Sequence, residues 1–264
     1  MTESAPTQPV LISQLQGSTL LLTMNQPDNL NSLGFELVAA LQSALAAAVD
    51  NPAIRVLVLT GKGRGFCAGA DLKTMTRDYA AGEPDVLDCI VDLFDVLRNF
   101  PKPVIAAVNG ITAAGGLELM LCCDLMYAAR SARIGDAHCN YGIVPGGGGA
   151  AILPRILPAP IAKYLLFTGE LLPAETLGPY GLFNEVVDAE HLLDRVAAVA
   201  NTIAGKSPIG LSRTKQVANQ ALDKTAADAI VHERLMARDQ FRSHDYREGL
   251  QAFLEKRTPE FKGY

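Results

Sequence analysis

The chain has 264 residues, 49% of them hydrophobic, and a formal net charge of −5. A chain of this length buries a large apolar core, and we expect one main domain with an appendage rather than two equal domains. The acidic balance argues against a nucleic-acid surface or a basic membrane-binding face, and no apolar run reaches the roughly 20 residues needed to span a bilayer.

The two features that report on cellular compartment are the N-terminus and the cysteines. Residues 1–9 are polar and lack the basic start and apolar core of a secretory signal, so we expect a short disordered lead. Five cysteines form an odd set, and the adjacent Cys122 and Cys123 have neither redox-motif nor zinc-site spacing. The sequence therefore predicts free thiols in a reducing cytoplasm and no metal.

The first part of the chain alternates strands and helices. Two apolar runs, 10–15 and 19–24, flank Gln16-Gly17-Ser18 in a hairpin pattern. Apolar residues recurring every four positions predict a helix over 35–49, and the nearly all-apolar run 54–60 predicts a strand covered on both faces. A glycine-rich loop, 61–72, follows that strand. Residues 73–84 are polar and aperiodic, which suggests a mobile lid or a short irregular helix, and 86–100 form an amphipathic helix.

Residues 102–124 carry the strongest functional signal. They predict a buried strand over 104–108, a tight turn at Asn109-Gly110, a loop of small residues, and a helix that opens at Gly115-Gly116. Unpaired N–H groups at a helix start form an anion site, and glycine lets a substrate approach the backbone. Glu118 places a carboxylate one turn from those donors. The combination suggests chemistry at a carbonyl group.

The next stretch excludes two common nucleotide-binding sites. Strands are predicted at 125–129 and 132–134, a polar loop at 136–141, and a helix at 150–157 after the glycines 146–149. No Gly-Lys-Ser/Thr follows these glycines, which excludes a phosphate loop. No G-x-G-x-x-G follows the first strand of a βαβ unit, which excludes the dinucleotide fingerprint.

The remainder of the chain is helical. We predict helices at 162–166, 174–180, 192–204, 211–222, 226–241 and 246–256, with one candidate strand at 184–187. The order indicates an α/β core of repeated βαβ units followed by a helical cap or oligomerisation segment. We divide the chain into the lead (1–9), the core with the site (10–200) and a C-terminal helical region for oligomerisation (201–264).

Three stretches together resemble the crotonase superfamily, whose best-known members are enoyl-CoA hydratases and isomerases. They are G-R-G-F-C-A-G-A-D-L (63–72), K-P-V-I-A-A-V-N-G-I-T-A-A-G-G-L-E-L (102–119) and G-I-V-P-G-G-G-G (142–149). Their order and spacing are specific, and weaker agreement covers nearly the whole chain. The resemblance implies a spiral of ββα turns with a C-terminal helical trimerisation region. It also implies an acyl-CoA thioester substrate, no separate cofactor, and a homotrimer or dimer of trimers.

The resemblance assigns an oxyanion hole to two main-chain groups. By motif position these are the N–H groups of Ala70 and Gly115, which would grip the thioester oxygen as negative charge develops on it. Asp71 is expected to hold the turn and cap the next helix. The resemblance also places substrate or CoA against a further set of residues: Ala68, Gly69, Asp71, Leu72, Lys73, Gly116, Pro145 and Gly146.

Glu118 matches one of the two glutamates that hydratases of this family use on the catalytic water. The position of the second glutamate holds His138 in this chain. A histidine also transfers protons near neutral pH, so it is either a second catalytic group or a residue that merely lines the pocket. Asp136 is a reserve candidate, which shares a face with His138 only if the segment is a regular strand.

The CoA-phosphate contacts also depart from the family pattern. Gln26 and Asp28 stand where relatives often carry basic residues, which leaves Arg64 and Lys73, with Lys262 from a neighbouring subunit.

Three functions compete. The first is hydration of a 2,3-double bond in an acyl-CoA, with Glu118 as base and acid. The second is another reaction on the same platform, namely double-bond isomerisation, thioester hydrolysis or decarboxylation. The third is a protein that binds acyl-CoA without catalysis, although a buried Glu118 has no evident use there. The chain contains no G-x-S-x-G motif, which excludes an α/β serine hydrolase.

Overall fold

Two sheets form the core of the computed structural model, which describes residues 8–80 and 82–264. The predicted lead thus lies almost wholly outside the described residues. The larger sheet has the order β1-β2-β3-β5-β7-β10, with β1 antiparallel to β2 and all other neighbours parallel. Its strands are β1 (Leu11–Gln16), β2 (Thr19–Met24), β3 (Val56–Gly61), β5 (Val104–Val108), β7 (Leu125–Ala129) and β10 (Glu185–Val187).

The smaller sheet has four short strands in the order β4-β6-β8-β9, and only β9 is antiparallel to its neighbour. They are β4 (Gly65–Cys67), β6 (Ile111–Ala113), β8 (Arg133–Gly135) and β9 (Leu172–Pro173). The strands β3, β5 and β7 of the large sheet are each followed by a strand of the small sheet and then by helical structure. This repetition confirms the predicted ββα spiral.

Eleven α-helices occur in the described residues, together with short 3₁₀ segments at Pro27–Asn29, His138–Tyr141, Gly178–Tyr180 and Ala189–His191. The helices of the core are α1 (Phe35–Val49), α2 (Leu72–Met75), α3 (Val86–Arg98), α4 (Gly115–Leu121), α5 (Gly149–Ile156), α6 (Ala159–Thr168), α7 (Ala174–Leu177) and α8 (Leu192–Ala204). Three more follow at the C-terminal end: α9 (Pro208–Ala221), α10 (Ala226–Gln240) and α11 (His244–Glu255). No helix in this part of the chain is long and apolar enough to cross a membrane.

The hydrophobic pattern explains the central elements. Every residue of β3 and β5 is buried, as expected for parallel strands covered on both faces. Helices α1 and α3 turn their apolar stripes inward, and α8 contributes Leu192, Val196 and Ala200 to the core. The predicted core boundary at residue 200 therefore falls inside a helix that packs on the core.

The sequence prediction missed three strands and one helical turn in the core. Residues 65–67 and 111–113 were expected to be loop, but they form β4 and β6 and pair with each other. Three-residue strands rich in glycine and small side chains are too short to show a two-residue period. Part of the predicted polar loop, His138–Tyr141, is a 3₁₀ helix, and β9 was not predicted at all.

Helix α9 is tied to the core through an ion pair. Lys215 Nζ lies 2.7 Å from Asp124 Oδ2, and that oxygen also accepts a hydrogen bond from the Val104 N–H at 2.8 Å. The side chain of Lys215 is largely buried by this contact. The bond links the first of the C-terminal helices to the strand that leads into the site.

Close backbone approach between α4 and β4 sets the geometry of the site. A Cβ atom at Gly116 would overlap the carbonyl oxygen of Cys67, so no larger residue fits there. This contact presses the first turn of α4 against the chain that continues into residues 68–70.

We expect Gly116→Ala to destabilise the protein by about 1–3 kcal/mol or more, because the added methyl group must displace backbone. Alanine has a higher helix propensity than glycine, so a loss of stability would come from the clash and not from helix propensity. Denaturant unfolding measures the effect. Gly146→Ala is the matched control, since a Cβ there meets no atom within 4 Å and φ is ordinary. Equal unfolding midpoints for the two variants would contradict the close approach.

Candidate active site

Two main-chain donors lie side by side at the junction of β4 and α4. The Leu33 N–H donates to the Gly69 carbonyl at 2.8 Å, and the Asp71 N–H donates to the Leu33 carbonyl at 3.1 Å. In such a parallel bridge the intervening residue, Ala70, points its own N–H away from the partner strand. Gly115 opens α4, where the first N–H groups have no intrahelical acceptor. Within residues 8–80 and 82–264, neither N–H donates to a protein group.

The backbone just before α4 is held in an unusual conformation. Ala114 has φ 49° and ψ −123°, a region that a residue with a side chain rarely adopts. Such a conformation costs on the order of 1–3 kcal/mol and persists only where surrounding contacts enforce it. Here the Ala114 N–H donates to Gly135 at 3.2 Å, and its carbonyl accepts from Leu117 and Glu118. Helix α4 thus begins with Gly115 beside Ala70, since a Cβ atom built at Gly115 would lie 3.5 Å from the Ala70 nitrogen.

Glu118 is a buried carboxylate, 3% exposed, held by main-chain donors. Its Oε1 accepts hydrogen bonds from the N–H groups of Gly147 at 2.8 Å and Gly149 at 2.9 Å. The guanidinium of Arg98 donates to the carbonyl of Gly147 and so braces the same loop from α3. One carboxylate oxygen is therefore occupied and Oε2 is turned elsewhere.

The imidazole of His138 faces that second oxygen. His138 Nε2 lies 3.9 Å from Glu118 Oε2, and its side chain is 12% exposed. The other ring nitrogen, Nδ1, lies 3.0 Å from Asp136 Oδ1. The structure therefore brings together all three titratable residues that the sequence singled out.

Burial and charge shift these groups in defined directions. Burial raises the pKa of Glu118, while the Gly149 hydrogen bond, the charge of His138 and the Gly147 hydrogen bond act against that shift. For His138, burial alone would lower the pKa, but the hydrogen bond and charge of Asp136 and the charge of Glu118 outweigh it and raise it. The raised pKa of His138 favours its protonated form, while burial of Glu118 opposes the negative charge that the glycine N–H groups and His138 stabilise.

A cavity of about 160 Å³ lies over these groups. Ala70, Gly115, Glu118 and His138 line one side of it, and the rest is mainly apolar. The apolar wall comprises Leu72 and Met75 of α2, Leu87, Ile90 and Val91 of α3, Tyr141 at the end of the 3₁₀ turn, and Ile143 and Val144 after it. An apolar chamber with donors and a proton-transfer pair at one end fits an acyl group with a reactive carbonyl.

A larger cavity of about 500 Å³ lies between β2 and α8, and Asp194 is the one charged residue in its lining. Its size alone does not make it the reaction site, because it lacks the convergent donors and titratable pair of the smaller chamber.

The remaining predicted site residues divide into two groups. Ala68, Leu72 and Gly146 line the cavity. The second group does not line the cavity and comprises Gly69, Asp71, Lys73, Gly116 and Pro145. Asp71 caps α2, as expected, with its side chain accepting from the Lys73 N–H at 2.9 Å. The CoA-phosphate candidates Arg64, Lys73 and Lys262 are exposed.

Sequence reasoning missed the groups that support Glu118 and shape the cavity. The Gly147 and Gly149 donors lie about thirty residues along the chain from the carboxylate they bind. The run of four glycines indicated a loop shaped by its backbone but not its partner. The stripe of α3 that carries Ile90 indicated an amphipathic helix, but such a stripe does not by itself distinguish a core face from a binding wall.

Comparison with known proteins identifies the family. The family model for enoyl-CoA hydratase/isomerase matches residues 14–264. The chain is 38% identical to a 1,2-epoxyphenylacetyl-CoA isomerase of Escherichia coli, over 96% of this chain and 98% of that protein. It is 37% identical to a 2,3-dehydroadipyl-CoA hydratase of the same species, over 96% and 98%.

Solved structures show the same fold. An enoyl-CoA hydratase from Bacillus anthracis superposes with a TM-score of 0.92 at 33% identity, over 97% of this chain and all of that one. The family match, the ββα spiral and the buried glutamate beside free main-chain donors lead to one conclusion. The chain belongs to the enoyl-CoA hydratase/isomerase family of the crotonase superfamily and is a crotonase-type acyl-CoA enzyme.

Proposed function

We propose that the protein is an enoyl-CoA hydratase, which adds water reversibly across the double bond of a trans-2-enoyl-CoA. One observation carries the proposal. Glu118 and His138 stand 3.9 Å apart in an apolar cavity beside two N–H groups that donate to no other group in the described residues. Hydration needs these three parts: a base for water, an acid for carbon and donors for the enolate oxygen.

The main-chain donors act on the thioester oxygen. When the nucleophile attacks C3, the π electrons move toward the carbonyl and an enolate oxygen forms. The N–H groups of Ala70 and Gly115 then meet a full negative charge instead of a carbonyl dipole. One such donor contributes about 3–4 kcal/mol in other enzymes, because it binds the transition state more tightly than the substrate.

The proton-transfer pair completes the addition. Glu118 removes a proton from water as the oxygen bonds to C3, and His138 delivers a proton to C2 as the enolate collapses. Glu118 ends protonated and His138 neutral. Transfer of that proton from Oε2 to Nε2, across the short gap between them, restores the starting state. The sum is addition of one water molecule.

Double-bond isomerisation is the second candidate. It needs one base to carry a proton between two carbons of the acyl chain, and Glu118 alone could do so. Replacement of the family's second glutamate by His138 favours it, because a single base is enough for this reaction. Product analysis separates the two reactions, because only hydration yields a 3-hydroxyacyl-CoA.

We expect Glu118→Gln to lower kcat on crotonyl-CoA and on a longer trans-2-enoyl-CoA at least about a hundredfold, since a proton-transfer group is lost. Loss of the conjugated enoyl absorbance measures turnover. The amide oxygen still accepts from Gly147 and Gly149, so acyl-CoA binding should persist. Glu36→Gln, at an exposed helix position, is the control. Unchanged turnover would remove Glu118 from the mechanism, and binding without turnover in the parent protein would favour a non-catalytic acyl-CoA binder.

The pH profile tests His138. In the parent protein, activity should fall at low pH as Glu118 is protonated, with a midpoint above the ordinary glutamate value of about 4.3. It should fall again at high pH as His138 loses its proton, above about 6.5. His138→Ala should lower kcat and abolish the high-pH fall. A variant that keeps both limbs and the parent rate would show that His138 only lines the pocket.

We propose the same trimer or dimer of trimers that the family resemblance implies, with the C-terminal helices as its contact surface. Helices α9 and α10 contain no fully buried residue. Large apolar residues of the C-terminal region are exposed: Leu222 and Leu254 at 74%, Leu235 at 57% and Phe253 at 81%. Apolar surface on this scale marks a protein contact.

A cytoplasmic location is part of the proposal, on the ground that Cys67, Cys89, Cys122, Cys123 and Cys139 are free thiols.

We expect light scattering to give the mass of three or six chains, and Phe253→Asp to shift that mass downward, because a charge in a desolvated contact is costly. Leu15→Asp, at an exposed apolar position of β1, is the control and should leave the mass unchanged. A parent protein that scatters as a single chain would refute the assembly.

A further inference from the structure

Asp136 is a fully buried carboxylate whose polar contacts all go to one residue. It is 0% exposed and does not belong to the described lining of the cavity. Its Oδ1 accepts from the His138 N–H at 3.3 Å and contacts His138 Nδ1 at 3.0 Å. Oδ2 has no hydrogen-bond partner among the described residues. Burying a carboxylate costs free energy, so we expect its contact with the His138 imidazole to serve a function.

The backbone between the two residues is bent to make this contact. In a regular strand, side chains two apart share a face but stand about 7 Å apart along it. Ala137 instead has φ 60° and ψ −8°, in the left-handed region. That conformation is unfavourable for alanine by roughly 1–2 kcal/mol. It folds the chain back so that one carboxylate reaches both the main chain and the ring of His138.

Asp136 is closed off from a direct role on the substrate. A Cβ atom at Gly149 would lie 2.8 Å from Asp136 Oδ2 and 3.3 Å from Glu118 Oε1, so the glycine backbone packs between the two carboxylates. The imidazole stands on the cavity side of Asp136. In the part of the chain that the structure describes, charged groups face His138 from two elements: Asp136 on its own segment and Glu118 on α4.

We propose that Asp136 is a positioning residue that holds His138 by Nδ1–H and keeps Nε2 directed at Glu118 and the cavity. A carboxylate on one ring nitrogen fixes both the tautomer and the orientation of an imidazole. The inference extends the proposed function, since it concerns how His138 performs its part. In this arrangement Asp136 and His138 together take the place of the second glutamate of the family pattern.

The orientation is measurable in the free protein without any substrate. The chain has four histidines, at 138, 191, 232 and 244, and His138→Ala identifies the signals of the first. Long-range ¹H–¹⁵N spectra should show neutral His138 protonated at Nδ1. In Asp136→Asn, the amide group can donate to Nδ1, so the tautomer should switch to Nε2–H, and the pKa of His138 should fall. The other three histidines should not change.

Kinetics then separate positioning from a structural or a direct role. Asp136→Asn should lower kcat about tenfold or more with little change in KM. In a His138→Ala background the same substitution should have no further effect, because the residue it positions is gone.

Two results would overturn the proposal. One is a neutral His138 in the parent protein that carries its proton on Nε2, a measurement that needs no variant to fold. The other is an equal loss from Asp136→Asn with and without His138, which would mean that Asp136 acts on its own. Failure of hydratase activity with the Nδ1–H tautomer intact would refute the proposed function and leave the positioning role standing.

Discussion

The burial of the Glu118 carboxylate is the constraint that organises the site. A carboxylate in an apolar chamber must be compensated, and here two main-chain N–H groups from the glycine loop compensate it. Those donors converge only if positions 147 and 149 carry no side chain, and Arg98 braces the loop from behind. Helix α4, the loop and α3 are thus arranged around one charge.

Much of the fold was predictable because its core strands and helices carry clear periods. The buried runs that became β3 and β5, and the stripes of α1 and α3, were read within a few residues of their ends. The errors came at β4 and β6, three-residue strands whose pairing is set by close backbone contact. Such contacts join residues far apart in sequence and leave no local period to detect.

The candidate site shows a similar division. Glu118 stood out because a carboxylate one turn after Gly115-Gly116 is a local pattern, and the family resemblance drew attention to His138. The manner in which Asp136 meets His138 was not predictable. The expectation relied on a regular strand, whereas the structure makes the contact through the left-handed backbone of Ala137, for which alanine gives no signal.

The main-chain origin of the oxyanion donors has a consequence for how reactions diversify on this scaffold. In the proposed mechanism Ala70 and Gly115 contribute only peptide groups, so a side-chain substitution at position 70 that preserves the turn would leave both donors in place. In that mechanism the choice of reaction depends instead on a few proton carriers, such as the residues at 118 and 138. On this account, overall sequence identity does not by itself distinguish one reaction on this scaffold from another.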